Sequence, residues 1–74
     1  MDYKIKLNTP EDVNEFVKAA NECDFDVDIS YNRFIVDAKS ILGVLCLNLR
    51  QSLKVSAQSR DIQFEEFLKK YEVA

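Results

Sequence analysis

Two hydrophobic spacings alternate along the chain, and the first is the two-residue spacing of strands. Apolar and polar side chains alternate over residues 3–7, 25–31 and 53–57, as expected of strands with one buried face. Residues 34–37 are mostly apolar and follow Asn32, a residue that readily adopts the positive φ of a tight turn. We therefore predict four strands, of which the second and third form an antiparallel hairpin.

The second spacing is that of an amphipathic helix, and it occurs twice. Thr9 and Pro10 suit the N-cap and the first position of a helix over residues 10–21. Asp61 opens a second such helix over residues 61–71. The predicted apolar stripes are Val13, Phe16, Val17 and Ala20 in the first helix and Ile62, Phe64, Phe67, Leu68 and Tyr71 in the second.

The run at residues 41–49 reads ILGVLCLNL and fits either a buried strand or a short helix. Ser40 is a good N-cap and favours the helix, whereas Gly43 weakens it. We predict a helix. Because one helix face cannot bury every large apolar residue of this run, part of the run is expected to be exposed, and Val44 and Leu47 are the better candidates for the core.

The element order is therefore β-α-β-β-α-β-α within 74 residues. This order is typical of a two-layer α+β fold with helices on one face of an antiparallel sheet. The length suits one modest core, with about 60% of the unfolded surface buried. We predict a single domain over residues 1–74.

The composition excludes most catalytic chemistry. The chain has no His, so His bases, His-ligated metals, Ser-His and Cys-His pairs and phosphohistidine are all impossible. Asp24, Asp26 and Asp28 have the spacing of the first three ligands of a calcium-binding loop, but Ile29 and Ile35 stand at the sixth and twelfth positions, where Gly and Glu are required. We predict no enzyme activity, no cofactor, no metal and no small-molecule substrate.

The charge distribution bears on the partner. The net charge is −3 and the pI about 4.8, which argues against nucleic-acid binding. Three Lys and eight acids over residues 1–30 give −5, and seven bases and five acids over residues 31–74 give +2. The asymmetry indicates either two solvated faces or a docking surface for an acidic partner.

The remaining residues indicate an ordinary reduced protein. Two Cys make no disulfide framework, and no apolar run or signal peptide indicates a membrane or an exported location, so we predict a cytoplasmic protein without membrane contact. Cys46, inside the apolar run, is expected to be inert packing. The solvated face of the last helix is predicted to carry Glu65, Glu66, Lys69 and Lys70.

Two stretches resemble a known family. VDISYN at 27–32 and VDAKSILGVL at 36–45 are similar to the strand–turn–strand–helix segment of HPr, the phosphocarrier of the bacterial sugar phosphotransferase system, and AKSILGV is similar to its regulatory-serine motif. The resemblance implies an open-faced sandwich with sheet order 1-4-2-3.

The same resemblance shows a departure at the phosphorylation site. The family carries its phosphoryl group on a His followed by Arg and Pro, and alignment on Phe16 and Val17 places Thr9, Glu11 and Asp12 at the corresponding positions. Thr forms no labile phosphoramidate, and Glu11 repels phosphate where Arg binds it. Phosphorelay activity is therefore not implied.

The regulatory serine survives as Ser40. A relative known as the catabolite-repression HPr-like protein lacks the His and keeps this Ser, which implies a regulatory protein-binding module with Ser40 as a phosphorylation site. The partner implied is a protein: a regulator, a kinase or a component of the phosphotransferase system. Ile41, Leu42 and Leu45 fall on positions that relatives use as an exposed docking patch, so the resemblance implies that they are exposed and that, with Lys39, they contact the partner. Ser40 acting only as an N-cap is the simpler interpretation. Two alternatives stay open: a phosphotransferase-system carrier that uses Thr9, and a degenerate domain with neither relay nor switch.

Overall fold

The computed structural model describes residues 2–73, in which seven helices and strands follow the predicted order. They are β1 (Asp2–Ile5), α1 (Pro10–Asn21), β2 (Val27–Tyr31), β3 (Phe34–Asp37), α2 (Ile41–Leu45), β4 (Leu53–Ala57) and α3 (Ile62–Lys69). The predicted α+β class is confirmed.

The four strands form one antiparallel sheet in the order β1-β4-β2-β3, as the resemblance implied. Apolar and polar residues alternate along the strands, so the sheet has a buried face and an exposed face. Ile29 and Val55 lie on the first, buried face, whereas Asp28 and Lys54 lie on the second, exposed face. The helices cover the first face, and their apolar stripes complete one hydrophobic core. In that core the rings of Phe16 and Phe64 lie 6.3 Å apart.

The β2–β3 hairpin confirms the predicted turn. Asn32 has φ 54°, the left-handed region that Asn tolerates better than most residues. Asp28–Tyr31 then pair with Phe34–Asp37. β2 begins at Val27, two residues later than predicted.

The helix predicted over residues 41–49 ends earlier, at Leu45. Asn48 starts a turn: its Oδ1 accepts a hydrogen bond from the N–H of Arg50 at 3.2 Å, and its carbonyl accepts one from Gln51 at 3.1 Å. A turn centred on Asn competes with helical hydrogen bonding. Asn48, the single polar residue of the run, therefore lies in a turn that follows the end of the helix.

The last helix also ends earlier than predicted, at Lys69 rather than 71. The chain beyond it returns alongside β1, where Lys6 donates its N–H to the carbonyl of Tyr71 and Val73 donates to that of Lys4. Backbone pairing with β1 thus replaces the final helical turn.

Three side chains differ from their predicted environment. Ile62 was predicted in the apolar stripe but is 76% exposed, since it occupies the first helical position after the Asp61 cap and points away from the core. Cys46 is exposed rather than packed inside, because the chain leaves α2 at this residue. Glu65 was predicted on the solvated face but is only 8% exposed.

Glu65 is buried because two partners satisfy its carboxylate. Arg60 donates from Nη2 at 2.7 Å and from Nε at 3.1 Å, and the Tyr3 hydroxyl donates at 3.2 Å. The bonds from Arg60 lower the pKa of Glu65 despite its burial, and burial together with the bond to Glu65 raises the pKa of Tyr3. Residues distant in sequence thereby tie α3 to β1.

Candidate functional site

The start of α1 holds Thr9, the residue that stands at the family's phosphorylation position. Thr9 is the N-cap, and its Oγ1 accepts a hydrogen bond from the N–H of Asp12 at 3.1 Å. Its side chain is exposed. The hydroxyl is therefore accessible while it serves as the cap of the helix.

The carboxylate of Asp12 completes the arrangement. Its Oδ2 accepts hydrogen bonds from the N–H groups of Asn8 at 2.9 Å and Thr9 at 3.2 Å, forming a reciprocal capping box with Thr9. Alignment with the family placed Asp12 only at the position of the family's Pro. The signal that could have revealed this role is the spacing itself, since an acid three residues after Thr is the pattern of a capping box.

This arrangement determines what the helix start can bind. Free N–H groups at a helix N-terminus form an anion site, but here the carboxylate of Asp12 already accepts from the N–H of the N-cap Thr9 and from that of Asn8 just before it. A phosphoryl group on Thr9 would lie beside the carboxylate of Asp12, with Glu11 in the same turn. Both charges oppose a second anion.

A groove connects Thr9 to α2. It has a volume of about 480 Å³, and its walls include apolar side chains and two cations. It is lined by Lys6, Leu7, Asn8, Thr9, Pro10, Leu45, Leu49 and Arg50. The structure thus brings together Thr9 and Leu45, which the sequence analysis treated separately, and adds Lys6, Leu49 and Arg50, which no sequence motif indicates.

Ile41, Leu42 and Leu45 form an exposed apolar surface on α2, here called the α2 patch. Their exposed fractions are 39%, 75% and 50%, and the predicted exposure is confirmed. The predicted burial of Val44 and Leu47 is confirmed too. α2 thus divides its apolar residues between the core and the solvent, which distinguishes this surface from scattered surface leucines.

Ser40 lies at the border of the α2 patch and caps α2. Its Oγ accepts a hydrogen bond from the N–H of Gly43 at 3.2 Å, which confirms the predicted cap, and the residue is exposed. The ammonium of Lys39 donates to the carbonyl of Cys23 at 2.9 Å. Lys39 is thus directed to the end of α1, and only its reorientation would bring the charge to Ser40.

Other candidate chemistry is not assembled in the part of the chain that the structure describes. No three acids or cysteines among residues 2–73 form a group able to hold a metal ion. Cys23 is buried, and burial raises the pKa of its thiol, which disfavours the reactive thiolate. None of the helices within residues 2–73 is long and apolar enough to cross a membrane.

Solved structures that share this fold include HPr and phosphocarrier proteins. HPr-C-His from Thermoanaerobacter tengcongensis superposes with a TM-score of 0.78 at 20% identity, over 95% of this chain and 88% of that one. The phosphocarrier protein HPr from Bacillus anthracis gives 0.73 at 18%, over 97% and 96%. The histidine-containing phosphocarrier protein of Mycoplasma gives 0.70 at 18%, over 95% and 86%.

The family model described as the PTS HPr component phosphorylation site matches residues 12–71. Since this match spans most of the chain, the protein belongs to the HPr family, as its sequence indicated. HPr is a phosphocarrier and not an enzyme, in agreement with the predicted lack of enzyme activity. The match begins at Asp12, beyond Thr9. No curated protein matches the chain.

Proposed function

We propose that this HPr-family protein is a regulatory protein-binding module, that its α2 patch is the docking surface, and that phosphorylation of Ser40 controls docking. The observation that carries the proposal is a contrast within one groove. At one end the phosphorylation position holds Thr9 beside an internal carboxylate, and at the other end Leu45 is exposed. Docking is retained and transfer is lost.

The loss of transfer rests on chemistry at three positions. A phosphothreonine is a stable ester and a poor phosphoryl donor, in contrast to phosphohistidine, and the chain has no His. The carboxylate of Asp12 accepts hydrogen bonds from the N–H groups of Asn8 and Thr9, which would otherwise be free to stabilise a phosphate. Glu11 contributes a negative charge where the family has a cation.

The chemistry of the partner follows from the surroundings of the α2 patch. Apolar side chains form its centre, and Lys6 and Arg50 stand along the adjoining groove. Interfaces with an apolar centre and a charged rim obtain affinity from the centre and specificity from the rim. The partner is therefore a protein that presents apolar side chains surrounded by acidic ones.

Ser40 is placed to control this contact. It is exposed and adjoins Ile41, so a phosphate there would add a charge of about −2 at the edge of the docking surface. The phosphate would favour a partner that supplies Arg or Lys at this edge and disfavour one that supplies acids. Loss of the Gly43 hydrogen bond would also loosen the start of α2.

The first experiment tests docking. The protein, immobilised, is exposed to an extract of its own host, and each retained protein is identified, purified and titrated against wild type, Leu45→Asp and Ile62→Asp. Ile62 is the matched control, since it is an exposed apolar residue on α3. The proposal expects Leu45→Asp to weaken binding by at least about 2 kcal/mol and Ile62→Asp to leave it unchanged. Equal affinity for all three proteins would contradict it.

The second experiment separates the alternatives. Incubation with phosphoenolpyruvate and the general phosphotransferase enzyme should leave the protein unmodified by mass spectrometry, whereas incubation with the family's serine kinase and ATP should modify Ser40 in wild type and not in Ser40→Ala. Stoichiometric label on Thr9 would establish the carrier. A protein that takes neither label and retains no partner would be the degenerate domain.

A further inference from the structure

β3 is the edge strand of the sheet, and it exposes two large apolar residues. Phe34 is 70% exposed and Ile35 67%, and no strand pairs with the outer side of β3 among residues 2–73. Natural edge strands are usually protected by charges, prolines or bulges. β3 itself consists of Phe-Ile-Val-Asp, with its only charge at the end. This strand is distinct from the α2 patch and from the function proposed for it.

The pairing of the hairpin determines which backbone groups face outward. Ala38 donates its N–H to the carbonyl of Val27, so Val27 and Ala38 form a hydrogen-bonded pair. Because such pairs alternate along an antiparallel ladder, Val36 and Phe34 also bond to β2. The N–H and C=O of Ile35 consequently point away from the sheet, and its side chain lies on the face without helices.

The charges flanking Ile35 make this edge complementary to itself. Arg33 precedes it by two residues and Asp37 follows it by two. If two copies pair antiparallel with Ile35 opposite the partner's Ile35, Arg33 lies opposite the partner's Asp37 on both sides of the axis. A shift by two residues in either direction loses this match, and a shift by one turns the outward groups away.

We propose that two copies of this chain associate through β3 in this register, forming a symmetric eight-stranded sheet. The central Ile35 pair exchanges two backbone hydrogen bonds, and the two Arg33–Asp37 pairs set the register. Phe34 lies opposite the partner's Val36 on the helix-covered face. An interface made of the same surface on both copies closes after two subunits.

A like-charge pair within each monomer supports the charge argument. Asp28 and Asp37 are directly opposite in the β2–β3 ladder, and both are exposed on the face without helices. Like charges in this arrangement oppose each other. No ion pair within residues 2–73 involves Arg33, Asp28 or Asp37. The partner's Arg33 would bring a cation beside these two carboxylates.

The interface is small, so the dimer is expected to be weak, with dissociation at protein concentrations below about 1 mM. Sedimentation equilibrium from micromolar to millimolar protein measures it directly. Dilution should change the amide chemical shifts of residues 33–37 more than those of α2. Ile35→Lys should weaken association about tenfold or more, because it removes the central apolar pair and places two ammonium groups together. Leu42→Asp is the matched control and should not affect association.

Exchange of the charges gives the more specific test. Arg33→Asp and Asp37→Arg should each fail to self-associate, since each places like charges opposite one another. An equimolar mixture of the two variants should associate, since every facing pair is then of opposite charge. Circular dichroism verifies that each variant is folded, which matters for Asp37, whose Oδ1 accepts the N–H of Lys39 at 2.9 Å.

The results decide the proposal in either direction. A wild-type protein that remains monomeric at about 1 mM overturns it. So does a dimer that Ile35→Lys leaves intact, or one that the mixture of folded charge variants fails to restore. A concentration-dependent dimer that Ile35→Lys weakens and the mixture restores establishes both the surface and the register.

Discussion

The starts of α1 and α2 use the same local device with different consequences. Each helix begins at a hydroxyl cap, Thr9 or Ser40, whose oxygen accepts a backbone N–H three residues later. In α1 the carboxylate of Asp12 returns the bond, whereas α2 has no acid in its first turn. The start of α1 thus contains an internal carboxylate that the start of α2 lacks.

The two helices also differ in how much of their apolar surface they bury. α1 has twelve residues and places its four apolar stripe residues in the core, whereas α2 has five residues and buries only Val44. The comparison teaches that two neighbouring helix starts can differ in what they leave exposed, so the proposed docking surface and the phosphorylation position depend on different residues.

The largest expected effect separates core from surface within α2. Val44→Asp should unfold the protein, because burying an unpaired charge costs several kcal/mol and small domains have about 5–15 kcal/mol in total. Leu45→Asp should change stability by no more than about 0.5 kcal/mol, since its side chain is half exposed. Thermal melts of the two neighbours measure the difference. Collapse of Leu45→Asp would mean that the α2 patch is part of the core.

The next effect compares the two caps. Thr9→Ala should cost about 1–2 kcal/mol, because it removes the hydroxyl from a reciprocal pair at a long helix. Ser40→Ala should cost about 0.5–1 kcal/mol, because α2 is short and its cap makes a single bond. Urea unfolding of both variants tests the order. A larger loss at Ser40 would show that α2 contributes more to the stability of the fold than its length indicates.

The third prediction concerns Glu65, whose carboxylate accepts hydrogen bonds from side chains, whereas that of Asp12 accepts them from backbone N–H groups. Since Arg60 lowers the pKa of Glu65, the ionised form stabilises the fold above the ordinary Glu value of about 4.3. This stabilisation is lost as the pH falls through the lowered pKa. Glu65→Gln should therefore melt below wild type at pH 7, and the difference should shrink as the pH approaches that lowered value.

The exposed neighbour Glu66 offers the control for that pH profile. Glu66→Gln should follow the wild-type acid unfolding curve closely. If Glu65→Gln gave the same curve as Glu66→Gln, the bonds to Arg60 and Tyr3 would contribute nothing to acid stability.

The smallest expected effect is at Gly43, inside α2. A Cβ there would lie 3.3 Å from the Cβ of Val36 and 3.4 Å from the Oγ of Ser40, which is tight but tolerable if β3 moves slightly. Alanine favours helix over glycine by about 1 kcal/mol, so Gly43→Ala should stabilise by up to about 0.5 kcal/mol after this adjustment. A loss above about 1 kcal/mol would show that α2 and β3 cannot separate.

The caps and the apolar stripes could be read from the sequence because they depend on neighbours within four residues. Thr9 and Ser40 were identified as caps in this way, whereas the exposure of Leu45 was implied by the resemblance to the HPr family. The end of α2 was predicted too late. Asn48 could have indicated a turn, but whether the chain forms that turn or continues the helix depends on which hydrogen bonds the following residues can make.

The sequence by itself determined the element order, the fold class, the absence of His chemistry and the division of α2 between core and solvent. Only the tertiary structure decided that Glu65 is buried, because its carboxylate is held between Tyr3 of the distant β1 and Arg60, which precedes α3. It also decided that Thr9 and Leu45 share a groove and that Phe34 and Ile35 form an open edge. Periodicity records which face of an element is apolar, whereas packing determines what, if anything, covers that face.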